Sequence, residues 1–198
     1  MIGGFKLFLR FFPLIGVFLS LSCISSHGGD ILVHPHPEDD STYFTEYSKA
    51  TSHHEVVNNF ETRFIVQSTI LSTPFRKAFA KRYQDLYFEK EPVLTEASQR
   101  TGFFVSIYTA DPELNDISDA NLWTIKLKKG TSHLKPVKIE KLRQKERWRP
   151  FFKGISPWSV EYLVLFDAPA SLTDKSLVQV DETQLVLSNQ DGRVTIGL

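Results

Sequence analysis

From residue 102 to the C-terminus, apolar and polar residues alternate in short runs. Phe103, Val105 and Ile107 alternate with Phe104, Ser106 and Tyr108, and Trp123, Ile125 and Leu127 alternate with Thr124, Lys126 and Lys128. A period of two sends successive side chains to opposite faces, so both stretches predict strands, the second half-buried. Gly130 turns the chain, and Val137 and Ile139 mark a further strand with lysines on its other face. Residues 160–166 (VEYLVLF) are apolar on both faces apart from Glu161, which predicts a central strand. Residues 176–180 and 184–188 follow, and Asp191-Gly192 signals a hairpin into Val194, Thr195 and Ile196. Upstream, residues 63–71 (RFIVQSTIL) place Phe64, Val66 and Ile70 on one face and Ile65 and Leu71 on the other.

One stretch has the helical period instead. Thr73 can cap it, Pro74 suits its first position, and Phe75, Phe79, Tyr83 and Leu86 form an apolar stripe. This predicts an amphipathic helix over about 73–89 that lays its stripe on a sheet, with Arg76, Lys77, Lys81 and Arg82 facing elsewhere. Short strands separated by turn residues predict a mainly β fold. The expectation is an antiparallel β-sandwich-like domain of about seven to eight strands over residues 55–198, with a small β-barrel as the alternative.

The first 22 residues read MIGGFKLFLRFFPLIGVFLSLS. Lys6 and Arg10 give a positive n-region, residues 11–21 an apolar h-region, and Ser20, Leu21 and Ser22 lead into Cys23, the one cysteine of the chain. This is the pattern of a secretory signal peptide over 1–22. The apolar run is short of the ~20 residues that span a bilayer. The segment resembles the signal peptides of bacterial lipoproteins. Their usual box has Leu three residues before the cysteine, Ala or Ser two before, and a small residue just before. Here the Leu is displaced to position 21, as in relaxed boxes, and Ser22 fits. The resemblance stops at the anchor, and no named family is recognised for the folded domain. It implies a lipid on the Cys23 thiol, removal of the peptide before it, and membrane attachment through acyl chains. Each buried methylene contributes about 0.8 kcal/mol, so more than one chain holds stably. Ile24, where retained lipoproteins carry Asp, favours the outer membrane by the same resemblance. A periplasmic or secreted protein is the alternative.

Residues 24–42 are rich in Ser, Gly, Pro, His and acids, and residues 43–54 (YFTEYSKATSHH) read as a loose turn or short helix. Residues 23–54 are therefore expected to form a flexible tether between lipid and domain. Removing 1–22 takes two of the 23 basic residues and no acid, leaving 21 basic against 23 acidic. That balance gives no general attraction to nucleic acid. The length suits one domain that needs no disulfide.

Candidate chemistry is sparse. His34 and His36, beside Glu38, Asp39 and Asp40, could ligate a metal weakly from the tether. Asp111, Glu113, Asn115, Asp116 and Asp119 concentrate oxygen donors in one loop, and positions 111, 113 and 115 resemble the start of an EF-hand loop. The likeness fails where that loop needs Gly and a final Glu, at Asp116 and Leu122. His53 and His54 are adjacent and form a poor ligand pair. Ser132-His133 suggests a nucleophile and base, but no G-x-S-x-G, H-E-x-x-H or P-loop is present. No cofactor is expected.

The densest feature is a basic segment (Lys135, Lys138, Lys141, Arg143, Lys145, Arg147, Arg149) that runs into RPFFKGISPWSVEYLVLF. Arg and Trp are enriched at binding hot spots, so Arg147, Trp148, Arg149, Phe151, Phe152 and Trp158 are candidates for a partner or ligand surface. The same cations suit lipid or lipopolysaccharide phosphate, and the aromatics equally suit a core. The sequence thus points to a lipid-anchored envelope protein acting as a non-catalytic interaction or accessory module with an envelope protein partner. A ligand-binding module for carbohydrate, lipid or metal is the alternative, and a hydrolase comes behind both. The oligomeric state is not legible.

Overall fold

The computed structural model describes residues 37–91 (side chains from residue 41), 94–169 and 183–197. Cys23, His34, His36 and the strand expected at 176–180 lie outside them. The chain forms helix α1 (Pro37–Ala50), strands β1 (Thr51–Asn58) and β2 (Glu61–Ile70), helix α2 (Thr73–Tyr87), and a 3-10 turn at Leu94–Ser98. Strands β3 (Thr101–Thr109), β4 (Thr124–Lys129), β5 (Ser132–Leu134) and β6 (Pro136–Lys141) follow. Helix α3 (Lys145–Trp148) and strands β7 (Val160–Phe166), β8 (Thr183–Asn189) and β9 (Gly192–Gly197) complete the chain.

The strands build two antiparallel sheets, one in the order β1-β2-β3-β7-β6 and the other β5-β4-β8-β9. The fold is thus mainly β and sandwich-like, and neither sheet closes into a barrel. Phe64, Val66, Phe103, Val105, Tyr162 and Val164 of the larger sheet face Ile125, Leu127, Leu185, Leu187 and Ile196 of the smaller one and Trp123 just before β4. The opposite face of the larger sheet, with Phe104, Leu163 and Leu165 and with Leu71 just after β2, is covered by helices. The larger sheet is buried on both sides, which is why β7 reads as a continuous apolar run.

α2 stands where the period places it, with Phe75, Phe79 and Tyr83 buried. Its cap is Ser72 rather than Thr73, since the Ser72 hydroxyl accepts from the Phe75 N–H at 3.4 Å. Phe88, left-handed at φ 57°, ends it. Arg82, expected on the outer face, is buried, with its guanidinium carbon 5.0 Å from the ring centroids of both Tyr43 and Phe44.

The tether is the main correction. Residues 37–54 are not a spacer: they form α1 and the first half of β1. Tyr43 and Tyr47, one helical turn apart, are both buried among Phe75, Phe151 and Phe152. The Tyr43 hydroxyl donates to the Phe151 carbonyl at 2.7 Å. The Tyr47 oxygen accepts from the Lys153 N–H at 3.0 Å and from the Gln67 amide. These two aromatic anchors, with Phe44 and the buried Ala50, fix a helix whose other described side chains are polar.

The β8–β9 turn also differs from expectation. Asn189 pairs with Gly192, so the loop is 190–191, and the Asn189 carboxamide oxygen accepts from the N–H groups of Asp191 and Gly192. Gly192 serves close approach instead: a Cβ there would lie 2.8 Å from Val56 Cγ1 on β1.

Candidate functional site

Residues 142–159 cross the helical side of the larger sheet as a strap between β6 and β7. The strap enters the core with Leu142, Trp148, Phe151, Phe152 and Ile155. Phe152 stacks on Phe104 of β3, with centroids 3.5 Å apart and planes inclined by 2°, and the Trp148 indole N–H donates to the Arg143 carbonyl at 3.0 Å. Trp148, Phe151 and Phe152 are therefore core residues and are not available to a partner, which corrects three of the six candidate surface residues. Arg147 is partly covered, and Arg149 is exposed and paired with Glu146 at 2.7 Å.

Trp158 is the outlier of the set. It is 74% exposed, yet the turn that carries it is heavily fixed. The Ser156 hydroxyl accepts from the N–H groups of Trp158 and Ser159, at 3.3 and 3.1 Å. The Ser159 hydroxyl accepts from the Ser156 N–H at 2.9 Å and lies 2.6 Å from the Glu161 carboxylate, to which it donates. The Lys145 ammonium donates to the carbonyls of Ser156, Pro157 and Ser159 and stands 3.8 Å from Glu161. Glu161 is buried, and Ser106 of β3 also donates to it, at 3.3 Å. A buried carboxylate and a lysine spanning three carbonyls hold this turn in one conformation.

Beside Trp158 lies a groove of about 310 Å³ lined by His53, Ile65, Gln67, Ser106, Tyr108 and Gly154 together with the Ser156–Ser159 turn. Pairing of His53 with Gln67 and Ile65 with Tyr108 brings three strands to one wall. A Cβ on Gly154 would fall on the Gln67 side chain, so glycine there lets the strap touch the sheet. Three polar side chains of the groove are engaged inside the protein. Gln67 donates to Tyr47, Ser106 lies within reach of the Gly154 carbonyl at 3.2 Å and of Glu161, and Ser159 serves Glu161. What faces outward is ring and alkyl surface, with the exposed His53 at the rim. His53, Ser156 and Ser159 share the groove, but the serine hydrogen bonds run to the turn and to Glu161 rather than to the imidazole.

The other end of the strap borders a second cleft, of about 470 Å³, between the end of α2 and residues 140–148. There the Arg147 Nε donates to the Tyr83 oxygen at 2.5 Å, its guanidinium pairs with Glu89, and the Tyr87 hydroxyl donates to the Arg147 carbonyl at 2.9 Å.

The acidic loop is a folded turn. Asp111 accepts from the Glu113 N–H at 3.0 Å, and Asp116 accepts from the N–H and hydroxyl of Ser118 and from Tyr162. These bonds, chiefly those from Ser118, hold the Asp116 carboxyl below the usual carboxylate range. Among the described residues, no group of three His, Cys, Asp or Glu side chains gathers as metal ligands, so Asp111, Glu113 and Asp116 do not converge. Ser132 and His133 sit exposed on β5, and His53 and His54 pair with different β2 residues, Gln67 and Val66.

The sequence offers His53 only as a poor ligand pair with His54 and Lys145 only as one cation of the basic segment, and it assigns no site role to Gln67, Tyr108 or Glu161. The one available signal was Glu161, a lone charge in an apolar strand, which demands a buried partner. No protein-family model, no curated protein and no solved structure matches this chain.

Proposed function

We propose that this chain is a lipid-anchored protein of the bacterial cell envelope whose folded domain is a non-catalytic interaction module. In this reading it receives an apolar side chain of a protein partner in the Trp158 groove. The observation that carries the reading is the exposed Trp158 on a turn locked by Lys145 and Glu161. A side chain carried on a fixed backbone leaves less entropy to lose on binding, and Trp is a frequent hot spot once a partner covers it. With Gln67, Ser106 and Ser159 already engaged, the groove offers mainly ring and alkyl surface, which favours an apolar side chain over a sugar. The serines' service to the turn supports a binding role rather than a hydrolytic one.

Two measurements test this. Palmitate incorporation and membrane retention are expected in the wild type and lost in Cys23→Ala; a soluble, unlabelled wild type refutes the anchor. Photo-crosslinking in cells from position 158 is expected to give one discrete adduct. The same probe at Lys128, on the exposed side of the smaller sheet, should give none. Equal labelling at both positions, or none at 158, refutes the groove as the docking site.

A further inference from the structure

We propose that the second cleft, between the end of α2 and residues 140–148, binds a phosphate group carried either by a lipid headgroup or by a soluble phosphorylated molecule. Lys90 lines one wall, Arg143 and Arg147 the other, and Tyr83 lies between them. Both walls are turned into place by side-chain-bearing residues in the left-handed region, Phe88 at φ 57° and Gln144 at φ 56°. That conformation is unfavourable for any residue with a Cβ, and such residues concentrate at functional sites. The turn at Phe88 brings Glu89 and Lys90 to the cleft, and the turn at Gln144 brings Arg143 and Arg147 to it from the opposite side.

Arg147 is held rigidly. Its guanidinium carbon stands 5.3 and 5.1 Å from the Tyr83 and Tyr87 ring centroids, in addition to its bonds to Tyr83 and Glu89. Three carboxylates also line the cleft, and each is engaged. Glu89 pairs with Arg147, Glu140 pairs with Lys138 at 2.8 Å, and the buried Glu91 accepts from the Leu94 N–H at 2.6 Å. Lys90 and Arg143, by contrast, make no ion pair among the described residues. Two unneutralised cations from separate segments, converging beside a fixed guanidinium, suit an anion with several acceptor oxygens. A phosphate matches such a donor set better than a single halide does.

The test titrates inorganic phosphate into the unacylated mature chain (Cys23→Ala, beginning at residue 23) at constant ionic strength set with chloride. Resonances of Arg143, Gln144 and the Trp148 indole N–H report the cleft. A saturable shift is expected, at least about tenfold weaker in R143A and in K90A, whose side chains are exposed and leave the fold intact. It should be tighter in E140Q, which removes a carboxylate from the rim; a merely structural role for Arg143 does not give that gain. Vesicles of phosphatidylcholine with and without phosphatidic acid separate the sources. Arg143-dependent binding to phosphatidic acid identifies a lipid headgroup, and phosphate shifts without vesicle binding identify a soluble ligand. No saturable shift, or the same affinity in R143A as in the wild type, overturns the proposal.

Discussion

Tyr43→Ala removes a ring that is 1% exposed, with neighbouring centroids of Tyr47, Phe75 and Phe151 at 6.0, 6.0 and 6.3 Å. It also removes the hydroxyl that donates to the buried Phe151 carbonyl. Truncating a large buried aromatic costs about 3–5 kcal/mol, because the lost transfer free energy is joined by a cavity that the surroundings fill only in part. Tyr43→Phe keeps the ring and loses the hydrogen bond alone, worth about 1 kcal/mol. At about 2–4 °C per kcal/mol for a domain of this size, the Phe variant melts a few degrees lower and the Ala variant roughly 6–20 °C lower. Urea unfolding followed by circular dichroism measures both. Limited proteolysis at Lys49 distinguishes global loss from undocking of α1 alone, which limits the loss to the free energy of docking. A solvated spacer predicts changes within about 0.5 kcal/mol for either substitution. If Tyr43→Ala stays within that margin, α1 is not part of the folded body and the reasoning fails.

Trp158→Ala should leave stability within about 0.5 kcal/mol and abolish the partner contact, as judged by urea unfolding and by crosslinking from a neighbouring position. Lys145→Ala should abolish the same contact and also destabilise by about 3 kcal/mol, because it leaves the buried Glu161 carboxylate uncompensated; equal stability of the two variants contradicts this account of the turn. Phe60→Gly should stabilise by about 1 kcal/mol in the same assay. Phe60 is fully exposed at φ 63° in the two-residue β1–β2 turn, where glycine carries no Cβ penalty. Gly102→Ala should cost about 1–3 kcal/mol, since its Cβ would meet Leu165 Cδ2 at 2.9 Å and Ala97 Cβ at 3.0 Å. Burial raises the Tyr43, Tyr47 and Tyr162 hydroxyls above their ordinary value of 10.0. The unfolded chain therefore releases protons first, so this stability is full below about pH 10 and declines as pH rises beyond it. Thermal scans from pH 7 to 11 should be flat and then fall, with a shallower fall in Tyr43→Phe.

Elements whose environment is uniform were legible in the sequence. β7 is apolar on both faces because both faces of its sheet are covered, and β4 alternates because one of its faces meets solvent. β1 (TSHHEVVN) was only half recognised: it is an edge strand whose side chains are exposed or half-buried, so its pattern carries little contrast. α1 was hidden for a related reason. Its contacts come from Tyr43, Phe44 and Tyr47, and its neighbours include the cations of Arg82 and Lys153, the latter 4.5 Å from the Phe44 ring. Composition alone sees Asp, Glu, Ser and Thr there. In the strap, the aromatic cluster was visible but its direction was not. Which rings turn inward depends on the left-handed backbone at Gln144 and on the contact between Gly154 and Gln67. Both are features of tertiary geometry that leave no period in the sequence.

The same contacts join the N-terminal helix to the groove. Tyr47 of α1 accepts hydrogen bonds from Gln67, which lines the groove on β2, and from the Lys153 N–H of the strap, one residue before Gly154. Undocking α1 would leave the Gln67 amide and the Lys153 N–H without this acceptor at the point where strap and sheet meet, so the seated helix supports the wall of the groove. In the proposed function, α1 is also the element through which the lipid tether enters the domain. A perturbation of Tyr47 far from Trp158 should therefore reach the partner contact. Tyr47→Phe keeps the ring in the core but removes the acceptor, and crosslinking from position 158 should weaken with a stability loss of only about 1 kcal/mol. Unchanged crosslinking in Tyr47→Phe would mean that the strap holds the groove by itself, with α1 serving only to cover the core.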